Sequence, residues 1–197
     1  IDVIKSKVGS QTKVMAMVNA LAYGSGDYQI ATLLQKNNID YPCVSYTDEA
    51  TQLRPSGIFT PIMVLNPDLT DLTPYQEDDI QPVIYSFASL EKVIKEDIVI
   101  HLEFDTGMRR LGFHKDDISL LVSKLQANKN LNVASVFSHL AASDDDSLDD
   151  FTQQQISDFN YISATLENEL GTPILKHLAN TAAIERLPSA TFDMVRM

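Results

Sequence analysis

Ile98-Val99-Ile100-His101-Leu102-Glu103-Phe104 is apolar except at His101 and Glu103 and is closed off by Asp105. Its apolar side chains alternate with the two polar ones in a period of two, which predicts a strand. Lys115–Ala127 follows. It opens on acidic residues and carries Ile118, Leu121, Val122 and Leu125 at helical spacing. Val133–His139 then returns to a short β-branched run that is apolar almost throughout, as a parallel strand covered on both faces requires. Strand, helix, strand is one βα crossover unit, and the same alternation continues in both directions. Upstream, Lys13–Val18, Tyr41–Ser45, Pro61–Leu65 and Pro82–Ser86 read as strands; downstream, Ile174–Leu178 and Phe192–Arg196 do. Gly57, Asn66-Pro67 and Gly171-Thr172-Pro173 punctuate them. Asp27–Asn37, with Ile30, Leu33 and Leu34 on one stripe, reads as a helix. So does Asp149–Leu170, which turns Phe151, Ile156, Phe159 and Ile162 inward. Eight strands in 197 residues is lean for a (β/α)8 barrel, which commonly takes about 250. An open doubly wound sheet competes, but the order shows no reversal, so the α/β reading is the TIM-type barrel.

Composition narrows the function classes. The chain is 44% hydrophobic and 21% charged, ordinary for a folded domain. Fifteen Lys and Arg stand against 27 Asp and Glu, a formal charge of −12, which disfavours nucleic-acid binding and docking on anionic lipid. Cys43 is the one cysteine, so no internal disulfide is available, and a reducing, cytoplasmic setting fits. No run approaches the roughly 18 apolar residues of a membrane helix, and nothing near Ile1 reads as a signal peptide. Asp2–Val8 resembles the end of an amphipathic helix and Met197 follows an apolar run, so the chain reads as a single barrel domain over 1–197, truncated at both ends. Asp144-Asp145-Asp146 with Asp149-Asp150 reads as a solvated loop and helix start, because a calcium loop would alternate its ligands and contain a glycine. No metal site is expected.

Barrel chemistry collects at the C-terminal ends of strands. Those ends supply Asn19, Tyr23, Gly24 and Gly26; Glu103 and Asp105 with Arg109 and Arg110; Ser138-His139; Asn180-Thr181; and Arg196. Each has a plain structural reading. The glycines can close a tight turn, His139 can be a satisfied core histidine, and Asn180-Thr181 can cap a helix. Glu103 and Asp105 share a strand face, and two inward carboxylates need cations, which Arg109 and Arg110 are near enough in sequence to provide. Together these groups suit an anionic ligand, most simply a phosphate.

In this order the segments resemble alanine racemase, specifically its pyridoxal-phosphate-binding barrel domain. Lys13-Val14-Met15-Ala16-Met17-Val18 followed by Ala22-Tyr23-Gly24-Ser25-Gly26 is similar to the family's cofactor signature. His101 through Phe113 is similar to its central arginine motif, and Ser138-His139, Ala179–Ala183 and Phe192–Arg196 complete the series. Ser25, where most relatives carry histidine, resembles the form fused behind a UDP-N-acetylmuramoyl-tripeptide–D-alanyl-D-alanine ligase. The resemblance implies that Tyr23 and Thr181 bind the cofactor phosphate and that Arg196 faces the pyridine nitrogen and keeps it unprotonated. It further implies that Arg110 meets the phenolic oxygen and the substrate carboxylate, His139 holds Arg196, and Asn180 lines the pocket. The intact family enzyme is a homodimeric isomerase that interconverts L- and D-alanine for peptidoglycan synthesis.

Two positions depart from the pattern. The family's Schiff-base lysine is here Asn19, and an amide can neither bond covalently to an aldehyde nor abstract an α-proton. Lys13 lies about 20 Å down the same strand and Lys176 about 13 Å below the rim, so neither substitutes. Glu103 stands where many relatives have a lysine that is carbamylated, and it supplies a comparable negative charge beside Arg110. The resemblance also places the second base, a tyrosine, in a C-terminal β-domain that these residues lack. The expectation is a chain inactive as a racemase, with pyridoxal 5′-phosphate docking non-covalently at best. Two other readings stand beside it: a non-catalytic module that binds the cofactor reversibly or serves as scaffold for a fused partner, and a barrel for an unrelated phosphorylated ligand. A missing final helix would also leave apolar surface exposed on the first and last strands.

Overall fold

The computed structural model describes residues 1–197 as a closed barrel of eight parallel strands in sequence order. The strands are β1 (Lys13–Met17), β2 (Tyr41–Val44), β3 (Ile62–Val64), β4 (Ile80–Ile84), β5 (Val99–Glu103), β6 (Asn132–Phe137), β7 (Leu175–His177) and β8 (Met194–Arg196). The helices are α1 (Asp2–Val8), α2 (Asp27–Lys36), α3 (Thr47–Leu53), α4 (Thr73–Glu77), α5 (Phe87–Val93), α6 (Ile118–Ala127), α7 (Asp149–Leu170) and α8 (Thr181–Arg186). β1 pairs with β8 through Met15 opposite Arg196, and the Met197 N–H donates to the Met15 carbonyl at 2.9 Å, closing the ring. The sheet therefore has no free edge.

The period of two sorts side chains between two cores. Met15, Cys43, Met63, Val83, Phe137 and Met194 fill the barrel interior. Val14, Val44, Ile62, Ile84, Ile100 and Val195 point outward into the larger core beneath the helices. Polar side chains cross the interior at the level of this packing, with Gln81 opposite Met63, His101 opposite Val83 and His177 opposite Phe137. Gln81 Nε2 donates to Asp79 Oδ1 at 2.8 Å, and Gln81 Oε1 lies 2.9 Å from His101 Nε2. His101 Nδ1 lies 2.6 Å from Ser135 Oγ, which is 3.1 Å from His177 Nε2. Anchoring Gln81 on a carboxylate fixes its amide, so His101 carries its proton on Nε2 and accepts from Ser135. Burial then favours neutral rings: His101 is pushed down to about 3 and His177 well below its usual value.

All eight strands form where the sequence places them, with one shift. β4 begins at Ile80, so Pro82 sits inside the strand opposite Val64, not at its start. Proline normally begins a strand because it has no N–H to give the ladder; here one bond is forgone between neighbours that bury every side chain of β4. The expectation of bare apolar surface on the first and last strands does not hold. Val14 and Val195 are fully buried. Ile1, Ile4 and Val8 pack against the same core, and Lys7 of α1 pairs with Glu185 of α8.

Candidate active site

After β1 the chain makes an unusual turn. Ala20, Leu21, Ala22 and Tyr23 have φ of +51°, +53°, +48° and +56°, one turn of left-handed helix built from residues that carry a Cβ. Each such residue costs about 1–2 kcal/mol relative to the right-handed form. Gly24 and Gly26 end the turn, at φ +89° and +85°. Two groups hold it against the end of β2. Asn19 Nδ2 donates to Ser45 Oγ at 2.9 Å, while Asn19 Oδ1 is buried without a partner. Glu49 Oε1 accepts the Ala20 N–H at 2.7 Å, and its Oε2 accepts those of Ser45 and Tyr46 at 2.8 and 3.0 Å.

Arg196 lies between two cavities. One, of about 300 Å³, is lined by Tyr23, Asn180 and Thr181 with Arg196. The other, of about 180 Å³, is lined by Ser45, Tyr46, Glu103, Arg110 and His139 with Arg196. Arg196 Nη2 donates to His139 Nδ1 at 2.8 Å, which needs a neutral ring. Burial, with Arg196 and Arg110 adding to it, pushes His139 down to about 4. Glu103 is 5% exposed and has no ion-pair partner within 4 Å. Burial raises its carboxyl to about 7, against the pull of Arg110 and Arg196. Asn180 Oδ1 accepts the Ala183 N–H at 3.0 Å, capping α8, and the Ser143 hydroxyl at 2.7 Å. Thr181 is the first residue of that helix. Tyr23, Asn180, Thr181, Arg110, His139 and Arg196 are thus gathered at one mouth, with Asn19 and Ser45 at its edge.

Asp105 behaves differently from its expected role. Its Oδ1 accepts the backbone N–H groups of Gly107 and Arg109 at 2.8 and 3.0 Å, and it has no arginine partner. β5 ends at Glu103, so the period of two no longer governs Asp105; it shapes the loop instead. The loop then folds back, with the Phe113 N–H on the Glu103 carbonyl at 2.9 Å. Gly112 permits that close approach: at φ +128°, a Cβ there would lie 2.4 Å from the Asp105 nitrogen. Lys13 faces Asp40 at 3.6 Å and Lys176 Nζ is 2.6 Å from Glu167, so both are engaged below the rim. In the acidic loop, Asp146 and Asp149 pair with Arg186 at 2.6 and 2.9 Å. Sequence reasoning passed over Ser45 and Glu49. A Glu on the third residue of a helix that begins straight after a strand is a capping-box signal and was available.

A profile of the alanine racemase N-terminal domain matches residues 1–197. The chain belongs to that family. It is 34% identical over 202 residues to alanine racemase 1 of Caldanaerobacter subterraneus subsp. tengcongensis, covering 98% of this chain and 52% of that protein. To the alanine racemase of Methanococcus maripaludis it is 32% identical, covering 98% and 54%. The structure of alanine racemase from Clostridium difficile 630 superposes with a TM-score of 0.88 at 29% identity, covering 99% of this chain and 53% of that one. The chain thus spans about half the length of the curated relatives it matches.

Whether the mouth fits pyridoxal phosphate can be judged on its own atoms. Hydroxyls of Tyr23 and Thr181 line one cavity and the cations of Arg110 and Arg196 the other, a donor set suited to an anionic, acceptor-rich ring. What would bond covalently to it is missing: the amide of Asn19 is tied to Ser45. The residues fit a docked cofactor and do not fit an anchored one.

Proposed function

We propose that this chain is the pyridoxal-phosphate-binding barrel of an alanine racemase-type protein, that it holds the cofactor without a covalent link, and that it does not racemise alanine as it stands. The observation that supports this is an amide, Asn19, hydrogen-bonded to Ser45, at the position where the motif resemblance implies the family's lysine. Tyr23 and Thr181 would hold the phosphate, and Asn180 would line the pocket while its Oδ1 caps α8. Arg196, oriented by neutral His139, would keep the ring nitrogen unprotonated by donating to it. Arg110 would bind the substrate carboxylate; Glu103 lines the same cavity, but burial raises its carboxyl to about 7 and it forms no ion pair, so the fixed negative charge expected of it beside Arg110 is weakened. When bound, the cofactor supplies an electron-withdrawing ring next to the carbon that loses a proton. Racemisation also requires one base on each face of that carbon, and Asn19 cannot serve as one. The family's second base is a tyrosine of its C-terminal β-domain. Alanine as substrate, a homodimer and a place in D-alanine supply for the cell wall belong to the intact family enzyme; for this chain the proposal extends to a cytoplasmic setting alone.

The test is direct. Purified chain with pyridoxal phosphate and L-alanine should give no D-alanine above the rate of free cofactor, while equilibrium dialysis should show saturable cofactor binding. D-alanine formed faster than that would contradict the loss of function. No saturable binding would favour a scaffold for a fused partner, a reading the closed, well-packed barrel also accommodates.

A further inference from the structure

Glu49 is the third residue of α3, and its carboxylate turns back toward the strand ends. Two of its three hydrogen bonds, from Ser45 and Tyr46, are local and are accounted for by the cap of α3. The third is not. Ala20 lies 29 residues earlier, and its N–H is the entry to the left-handed turn that ends at Tyr23. A capping role needs no contact with Ala20, and a strained turn needs something outside itself to hold it. The same carboxylate therefore ties the β1 loop, which carries Asn19 and Tyr23, to the β2 end, which carries Ser45.

We infer that Glu49 is a positioning residue for the anion-binding end of the mouth, clamping the left-handed turn so that Tyr23 stands beside Arg196 and Thr181. This rests on the cofactor-binding function proposed above. The clamp can be told from a simple charge effect by sign. A carboxylate near a phosphate repels it, so if charge alone mattered, Glu49→Gln would tighten phosphate binding. A clamp gives the opposite.

In the full 197-residue chain, Glu49→Gln should weaken pyridoxal phosphate binding about tenfold, as expected for losing a charge-assisted hydrogen bond. Adding Leu21→Gly and Ala22→Gly, which remove the penalty for positive φ, should bring affinity back to within about threefold of wild type. NMR couplings of Ala20 to Tyr23 supply a second readout that needs no ligand: the positive-φ signature should be lost in Glu49→Gln. Where Glu49→Gln fails to fold, Glu49→Asp, one methylene short of Ala20 but still charged, should show the same loss. Unchanged or tighter binding, or a turn that stays left-handed, overturns the clamp. Wild type that binds no pyridoxal phosphate removes the proposed function, and the NMR result then decides by itself whether Glu49 holds the turn.

Discussion

Asn19 is only half satisfied: its Nδ2 donates to Ser45 Oγ at 2.9 Å, while its Oδ1 is buried without a partner. Its neighbour Leu21 sits at φ +53° with 64% of its surface exposed, so its side chain contributes little packing to offset the backbone cost. Leu21→Gly should therefore stabilise the chain by about 1 kcal/mol in urea unfolding; a loss of stability would mean the side chain packs more than its exposure suggests. Glu103 makes a pH-dependent case. Its folded value near 7 lies above the usual 4.5, so its stabilising term is full below pH 4.5 and is lost as pH rises through 7. Glu103→Gln should be more stable than wild type by roughly 2–3 kcal/mol at pH 8 and equal to it at pH 4. A constant difference at both pH values would contradict that sign. Glu103 was legible as an inward carboxylate from alternation alone. Asp105 was not, because β5 ends at Glu103 and its Oδ1 turns to the backbone N–H groups of Gly107 and Arg109, so alternation does not carry on to it.

At the scale of elements, the eight strands were legible because burial on both faces leaves continuous apolar runs, and α7 was read to its observed limits, Asp149–Leu170. The turn after β1 was not. Gly24 and Gly26 signalled a tight bend, but Ala20, Leu21 and Ala22 have no intrinsic preference for a left-handed turn, so only tertiary contacts such as Glu49 impose it. Arg54, after α3, shows a similar dependence. Its Nη1 donates to the carbonyls of Ile58 and Thr60 at 2.7 and 2.8 Å, and its Nη2 to that of Asp79 at 2.7 Å. One guanidinium fork thereby joins the loop before β3 to the start of β4. An ammonium cannot reproduce that fork, so Arg54→Lys should cost about 2 kcal/mol, nearly as much as Arg54→Ala. Thermal melts in which lysine restores wild-type stability would show that charge, not geometry, is what the loop uses.

For the whole molecule, barrel closure follows from the number and order of strands, while the interior polar chain depends on register, which sequence spacing does not specify. That chain sets the acid response. His101, His139 and His177 are all held neutral by burial, so their contribution is present above about pH 6.5 and is lost as pH falls through their depressed values. Glu103 opposes them between pH 4.5 and 7. Three histidines outweigh one carboxyl, so stability should fall steeply from pH 6.5 toward 4.5, and a flat urea midpoint over that range would contradict buried neutral rings. The proposal for the mouth is that it holds pyridoxal phosphate but lacks, in Asn19, the amine that would anchor it. Borohydride reduction of the chain and its Asn19→Lys variant, each mixed with pyridoxal phosphate, tests it most directly by mass and modified peptide. One adduct is expected, on the introduced lysine of the variant alone. Adducts spread over surface lysines in both proteins would contradict it and leave the barrel a scaffold.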